Sequence, residues 1–133
     1  MGMQGVEMVL LGYNTPEHHP PAPEQDHLAE FHNHLSMQAG AYQNSTWVVG
    51  VAKAGVEEGC MLIGGTAIIA PSGEIVAKAL GRDDELVVAR CDLDHSVSYK
   101  TTIFNFAAHR RPEAYGLITE RAGVVVPSEG AGS

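Results

Sequence analysis

Little in this chain invites a disulfide scaffold, a nucleic-acid partner or a bilayer. Its two cysteines, Cys60 and Cys91, are too few to staple a small domain, which agrees with a reducing, cytoplasmic setting. Lys and Arg number 8 against 16 Asp and Glu, giving a net charge of -8. Phosphate binding needs clustered cations, so no nucleic-acid partner is expected. The apolar runs are far too short to span a bilayer, and Met1–Gly5 carries no basic leader region, so no membrane partner is expected either. A glycine-rich phosphate loop and a Gly-x-Ser-x-Gly elbow are also missing. What remains is a 133-residue chain with 44% hydrophobic content, long enough for one globular domain with a real core.

The stretch Met8–Pro16 organises the reading. Met8-Val9-Leu10-Leu11 is a continuous apolar run without alternation, which predicts a short strand buried on both faces of a parallel or mixed sheet. Gly12 ends the run, and Pro16 can make no ladder bond and biases Thr15 away from helix. Asn14 and Thr15 therefore fall where a buried strand gives way to a loop, the place where α/β sheets gather ligands. Both side chains can hydrogen-bond a ligand. They can equally close a turn on their own backbone.

Further along, His18–Pro23 is proline-rich loop, and Asp26 is the expected N-cap of a helix reaching about Gln43. Leu28, Phe31, Leu35, Ala39 and Tyr42 form its apolar stripe, with Met37 and Ala41 on another side. Trp47–Ala52 reads as a second strand buried on both faces, and residues 53–61 as a loop. Pro71-Ser72-Gly73 between Thr66–Ala70 and Ile75–Ala79 predicts a hairpin. Leu86–Cys91 reads as a further strand. Asp92 and Asp94 are expected to cap a short helix from about His95 to Phe106, with Val97, Ile103, Phe104 and Ala107 as its apolar face. His109–Glu120 reads as irregular, and residues 122–133 as a mobile tail after a domain spanning 1–121. The alternation of strand and helix, then a hairpin and another strand, defines an α/β layered fold with a mixed sheet.

No complete catalytic set appears. His32 and His34 are two apart on a helix and point apart, and His18 and His19 lack a supporting Cys or carboxylate at ligand spacing, so no metal is expected. A reactive cysteine needs a positive environment, and Glu57 and Glu58 give Cys60 the opposite. Cys91 reads as inert packing, and Lys53 as the partner of Glu57 or Glu58 in an ion pair.

Five segments taken together carry a resemblance. They are Gly12-Tyr13-Asn14-Thr15-Pro16 with its His- and Pro-rich loop; Ser36-Met37-Gln38-Ala39-Gly40 with Tyr42-Gln43-Asn44; Glu57-Glu58-Gly59-Cys60-Met61-Leu62; Ile69-Ala70-Pro71-Ser72-Gly73-Glu74; and Ile103-Phe104-Asn105-Phe106 with His109-Arg110 and Tyr115-Gly116-Leu117-Ile118. In this order, from Met1 to about Glu120, the chain resembles the C-terminal half of the N-carbamoyl-D-amino-acid amidohydrolases of the nitrilase superfamily. The resemblance implies a four-layer α-β-β-α sandwich, of which this chain supplies one half, and assembly into a homo-oligomer through helices. It implies hydrolysis of a carbamoyl C–N bond through a cysteine thioester, without a cofactor, by a Glu-Lys-Cys triad lying outside this chain. Asn14 and Thr15 match the loop that lines the substrate pocket, with a small N-carbamoyl amino acid and the missing N-terminal half of the domain as the implied partners. By this reading the chain alone is inactive. The other reading is a non-catalytic interaction module that keeps the half-fold.

Overall fold

The computed structural model describes residues 1–126, arranged around a four-stranded mixed sheet. Its strands are β1 (Met8–Tyr13), β2 (Trp47–Ala52), β5 (Ala67–Ile69) and β6 (Ile75–Lys78), in the order β1-β2-β5-β6. β1 runs parallel to β2, from Met8 opposite Trp47 to Tyr13 opposite Ala52. The other pairings, β2 with β5 and β5 with β6, are antiparallel. A helix, α1 (Ala29–Asn44), makes the crossover from β1 to β2, as a parallel pair requires. The α/β class and the mixed sheet are those expected from the strand–helix–strand–hairpin order.

One face of this sheet is well covered. Val48, Ala67 and Ile69 pack with Met37 and Ala41 of α1, and Val9, Leu11, Tyr13 and Ile75 close around them. The helix sits this close because Gly50 leaves room for Met37: a Cβ on Gly50 would stand 2.6 Å from Met37 Sδ. The buried side of α1 is therefore His34, Met37 and Ala41, and the middle of the expected stripe faces outward, with Phe31 59% and Leu35 49% exposed, while Leu28 and Tyr42 at its ends are half-buried. Periodicity alone could not choose between two apolar sides, and the small residues at Gly50 and Ala41 decided it.

The start of α1 also differs from expectation. Asp26 is not its N-cap: Pro23–Leu28 winds as a 3-10 turn, and the Asp26 carboxylate turns back to His18 Nδ1 at 2.7 Å and the His19 N–H at 2.9 Å. At the other end Ser45 adopts a left-handed conformation (φ 51), with its N–H on Tyr42 O and the Thr46 N–H on Ala41 O. This is a Schellman closure built without glycine.

The opposite face is only partly covered, so the expectation of strands buried on both sides fails in this chain. Trp47, Ile68 and Ala70 are buried beneath Val87, Ala89 and Cys91. Leu10 and Val51, on the same face, stand 71% and 57% exposed. The segment Leu86–Cys91 lies extended but joins no ladder, so the expected strand is a packing strap instead. Its alternation is that of a strand, with Val87 and Ala89 inward and Leu86 and Val88 exposed, yet it pairs with neither edge of the sheet.

Residues 53–61 are not a loop. They build a hairpin, β3 (Ala54–Glu57) and β4 (Cys60–Ile63), whose two-residue turn is Glu58 (φ 49) and Gly59 (φ 84). Two positive φ values in succession give the turn that matches the right-handed twist of the flanking strands. The Pro71-Ser72-Gly73 hairpin forms as expected, with the Gly73 N–H on Ala70 O and Gly73 at φ 86. Asp92 does cap, accepting from the Asp94 N–H, but the helix it precedes is short: a 3-10 turn at Leu93–His95 leads into α2 (Ser96–Thr101). Two further short helices follow: α3 (Phe106–His109), which starts where the expected helix was to end, and α4 (Gly116–Glu120), inside the stretch expected to be irregular. Val97 and Ile103 are exposed, while Phe104 meets the Tyr42 ring edge-on at 4.7 Å. Of the expected tail, residues 122–126 carry no helix or strand and residues 127–133 lie outside the described residues.

Candidate functional site

The carboxyl end of β1 is where the sheet, the β3–β4 hairpin and α1 converge. Tyr13 O accepts the Lys53 N–H at 2.8 Å, so β1 and the chain leaving β2 are tied at their last residues. Beyond that point the main chain changes partner. Thr15 O accepts the Ile63 N–H at 3.0 Å, and the Glu17 N–H donates to Met61 O at 2.8 Å, with Pro16 bridged to Leu62. Residues 15–17 thus run antiparallel to β4, and Pro16, which has no N–H, falls between the two bonded positions.

This docking sets Asn14 and Thr15 apart. Asn14 is exposed and Thr15 half-buried. Asn14 opens on a hollow of about 510 Å³ lined by Pro16, Glu57, Glu58, Cys60 and Leu62. Thr15 turns to a second hollow of about 350 Å³ between the loop and α1, whose walls include His19, Gln25, His32 and Asn33. The two residues share a loop but do not share a hollow.

The ion pair expected for Lys53 forms with Glu57. The Lys53 ammonium holds the Glu57 carboxyl below the usual carboxylate range, with a smaller contribution from the Asn14 amide. Cys60 is an exposed thiol directly across the hairpin from Glu57. The other sequence candidates lie elsewhere: His18 is paired with Asp26, and Cys91 packs over the cluster of Trp47, Ile68 and Ala70. His34 is buried and donates from Nε2 to Gly65 O at 2.8 Å. Among the described residues no three of His, Cys, Asp and Glu gather as a metal site would require.

Two features that sequence reasoning did not single out shape the site. Gly65 O also accepts the Tyr13 hydroxyl at 2.9 Å, so one carbonyl holds the end of β1 and the middle of α1 together. Burial pushes the Tyr13 phenol up. The Gly64-Gly65 doublet, both left-handed at φ 64 and 79, was the available signal. The second is a bidentate pair between Arg82 and Glu17, which no local pattern announces because 65 residues separate the partners.

The carbon-nitrogen hydrolase family matches residues 1–101. This chain belongs to that family. Among solved structures it is similar to a carbon-nitrogen hydrolase from Helicobacter pylori, with a TM-score of 0.75 and 19% identity over 91% of this chain and 43% of that one. It is similar also to the C. elegans NitFhit protein, at TM-score 0.61 and 22% identity over 80% of this chain and 24% of that one. A Saccharomyces cerevisiae member of branch 10 of the nitrilase superfamily matches at TM-score 0.60 and 19% identity, over 85% and 37%. The chain spans less than half the length of each of these structures, and at such identities the likeness shows the fold. Among the described residues no helix is long and apolar enough to cross a membrane.

Proposed function

We propose that this chain is the substrate-binding half of a carbon-nitrogen hydrolase acting on N-carbamoyl-D-amino acids, and that the domain spanning 1–121 works with an N-terminal half of the same fold. Asn14 and Thr15 bind the substrate in this reading. The nucleophile, base and oxyanion-stabilising cation come from the complementary half, and the product set is a D-amino acid, ammonia and carbon dioxide. The observation that supports it most is the strand-end loop: Asn14 opens on a hollow at the carboxyl end of β1 while the main chain beside it is fixed by β4. An amide held this way offers a donor and an acceptor to a ureido group without reordering the loop. Lys53 and Glu57 are paired with each other beside it, so this lysine is not offered as a free cation to a developing oxyanion.

Ammonia release from N-carbamoyl-D-phenylalanine tests this. The 133-residue chain alone should release none, and co-expression with a nucleophile-bearing N-terminal half should restore release. In the restored enzyme Asn14→Ala should cost about 1–3 kcal/mol of transition-state or substrate binding, the range for a lost hydrogen bond to a buried partner. Unchanged turnover and affinity would reduce Asn14 to a turn residue. Ammonia from the chain alone that disappears in Cys60→Ala would move the nucleophile into this half.

A further inference from the structure

We propose that Arg82 is a positioning residue for the Asn14–Thr15 loop, locking it onto the β3–β4 hairpin through Glu17. The inference rests on the reading of Asn14 and Thr15 as substrate contacts. Arg82 Nη1 donates to Glu17 Oε2 at 2.9 Å and Nη2 donates to Oε1 at 3.1 Å. Two parallel bonds from one planar guanidinium fix direction as well as distance, which a lysine could not do.

The segment presenting Arg82 is itself held. Glu85 Oε2 accepts the Leu80 N–H at 3.0 Å and the Gly81 N–H at 3.1 Å, closing the turn just before Arg82. That turn lies close over Gly55 of the hairpin and Gly64 just beyond it. A Cβ on Gly55 would stand 3.6 Å from Arg82 O, and one on Gly64 would stand 3.9 Å from Gly81 O. The arginine is thus delivered from a docked, internally bonded turn.

At the receiving end, Glu17 is the last residue of the loop that β4 holds, through its own N–H on Met61 O. Two main-chain bonds at Thr15 and Glu17 form a short ladder that can fray. The guanidinium closes it from the outside, at the residue where fraying would begin. Arg82 does not line the hollow next to Asn14, so it acts on a ligand only through the loop.

The test uses the 133-residue chain reconstituted with an N-terminal half whose nucleophile is replaced, with N-carbamoyl-D-phenylalanine as probe. Arg82→Met, Arg82→Lys and the exchanged pair Glu17→Arg/Arg82→Glu are compared with the unaltered chain. Hydrogen exchange at the Glu17 and Ile63 amides reports the lock, the Ile69 amide reports the fold, and the Asn14 side-chain resonance reports probe affinity. Arg82→Met should speed exchange at Glu17 and Ile63 about two- to fivefold, the span of an exposed pair, and weaken the probe by a similar factor with Ile69 unchanged. Arg82→Lys should recover part of both effects and the exchanged pair most of them. Should Arg82→Met also speed Ile69, the exchanged pair, which keeps both charges, decides. Unchanged exchange and affinity in Arg82→Met, or no recovery in the exchanged pair, overturns the proposal. A reconstituted protein with Arg82 unaltered that does not bind the probe overturns the substrate reading, and the exchange rates then judge the lock alone.

Discussion

Gly65→Ala tests the carbonyl on which β1 and α1 meet. Gly65 sits at φ 79, a left-handed conformation that costs an L residue about 1–2 kcal/mol. The added Cβ would stand 3.1 Å from His34 Nε2 and 3.3 Å from its Cε1, so the ring must move by a few tenths of an ångström. It cannot move freely, because Nε2 donates to Gly65 O at 2.8 Å and the Tyr13 hydroxyl shares that oxygen. Misaligning one such bond costs about 0.5–1.5 kcal/mol. Alanine also restricts the unfolded chain, an offset of about 0.4–1 kcal/mol. The net loss is roughly 0.5–3 kcal/mol, against total stabilities of about 5–15 kcal/mol for domains in general. Gly59→Ala is the control, since Gly59 has φ 84 and nothing within 4 Å of its would-be Cβ. The backbone and unfolded-state effects are common to both variants, so their difference isolates the His34 contact at about 0.5–1.5 kcal/mol. Urea unfolding at matched protein concentration reads it as a difference in midpoint at unchanged slope. If Gly59→Ala proves equally or more destabilising, Gly65 O is not a constraint on the end of β1.

Two more outcomes follow from exposed features. The chain alone should associate and bind a hydrophobic dye strongly, because Leu10 and Val51 are exposed on one sheet face and β1 is an edge strand without a charged residue; Leu10→Lys with Val51→Lys should reduce both, whereas a dye-silent monomer with a sharp cooperative melt would refute this. The Arg82 guanidinium holds the Glu17 carboxyl below its usual range. A carboxylate depressed in the folded state stabilises above its unfolded pKa, about 4.3 for Glu, and that contribution is lost as pH falls through the lower folded value. An acid unfolding titration should show this loss and Arg82→Met should remove it; identical acid limbs in the two proteins would count against the pair.

The parts of the fold legible in the sequence were those fixed by neighbouring residues. The β1 and β2 runs, the Pro71-Ser72-Gly73 turn and the capping role of Asp92 each follow from a few adjacent side chains. What escaped depended on partners distant in the chain. Leu86–Cys91 has the alternation of a strand, but whether it joins a ladder depends on a free edge, which no local pattern encodes. The buried side of α1 was decided by Gly50 on another element, and the role of Asp26 by His18 and the His19 amide. Glu58-Gly59 suits a tight hairpin turn, but the Gly and Glu content of 53–61 suits a loop equally well, and only the pairing of Val56 with Met61 across the turn decides between them. In the candidate site, the loop position of Asn14 and Thr15 follows from Pro16, whereas Gly12, expected to end the strand, lies within β1 opposite Val51. The separate hollows they face, and the Arg82–Glu17 lock, are tertiary facts.

Trp47 gives the molecule a built-in reporter. It is the single tryptophan of the chain, 4% exposed, and its indole N–H donates to Asp92 O at 2.8 Å while its ring meets His95 edge-on. The ring lies on the side of the sheet away from Met37 and Ala41, beneath the strap that contains Val87 and Ala89. Its emission is therefore governed by the seating of residues 87–95, and Tyr13, on the α1 side, is governed by the helix. The single indole belongs to one layer alone, so its emission follows peeling of the strap apart from loss of the helix on the other face.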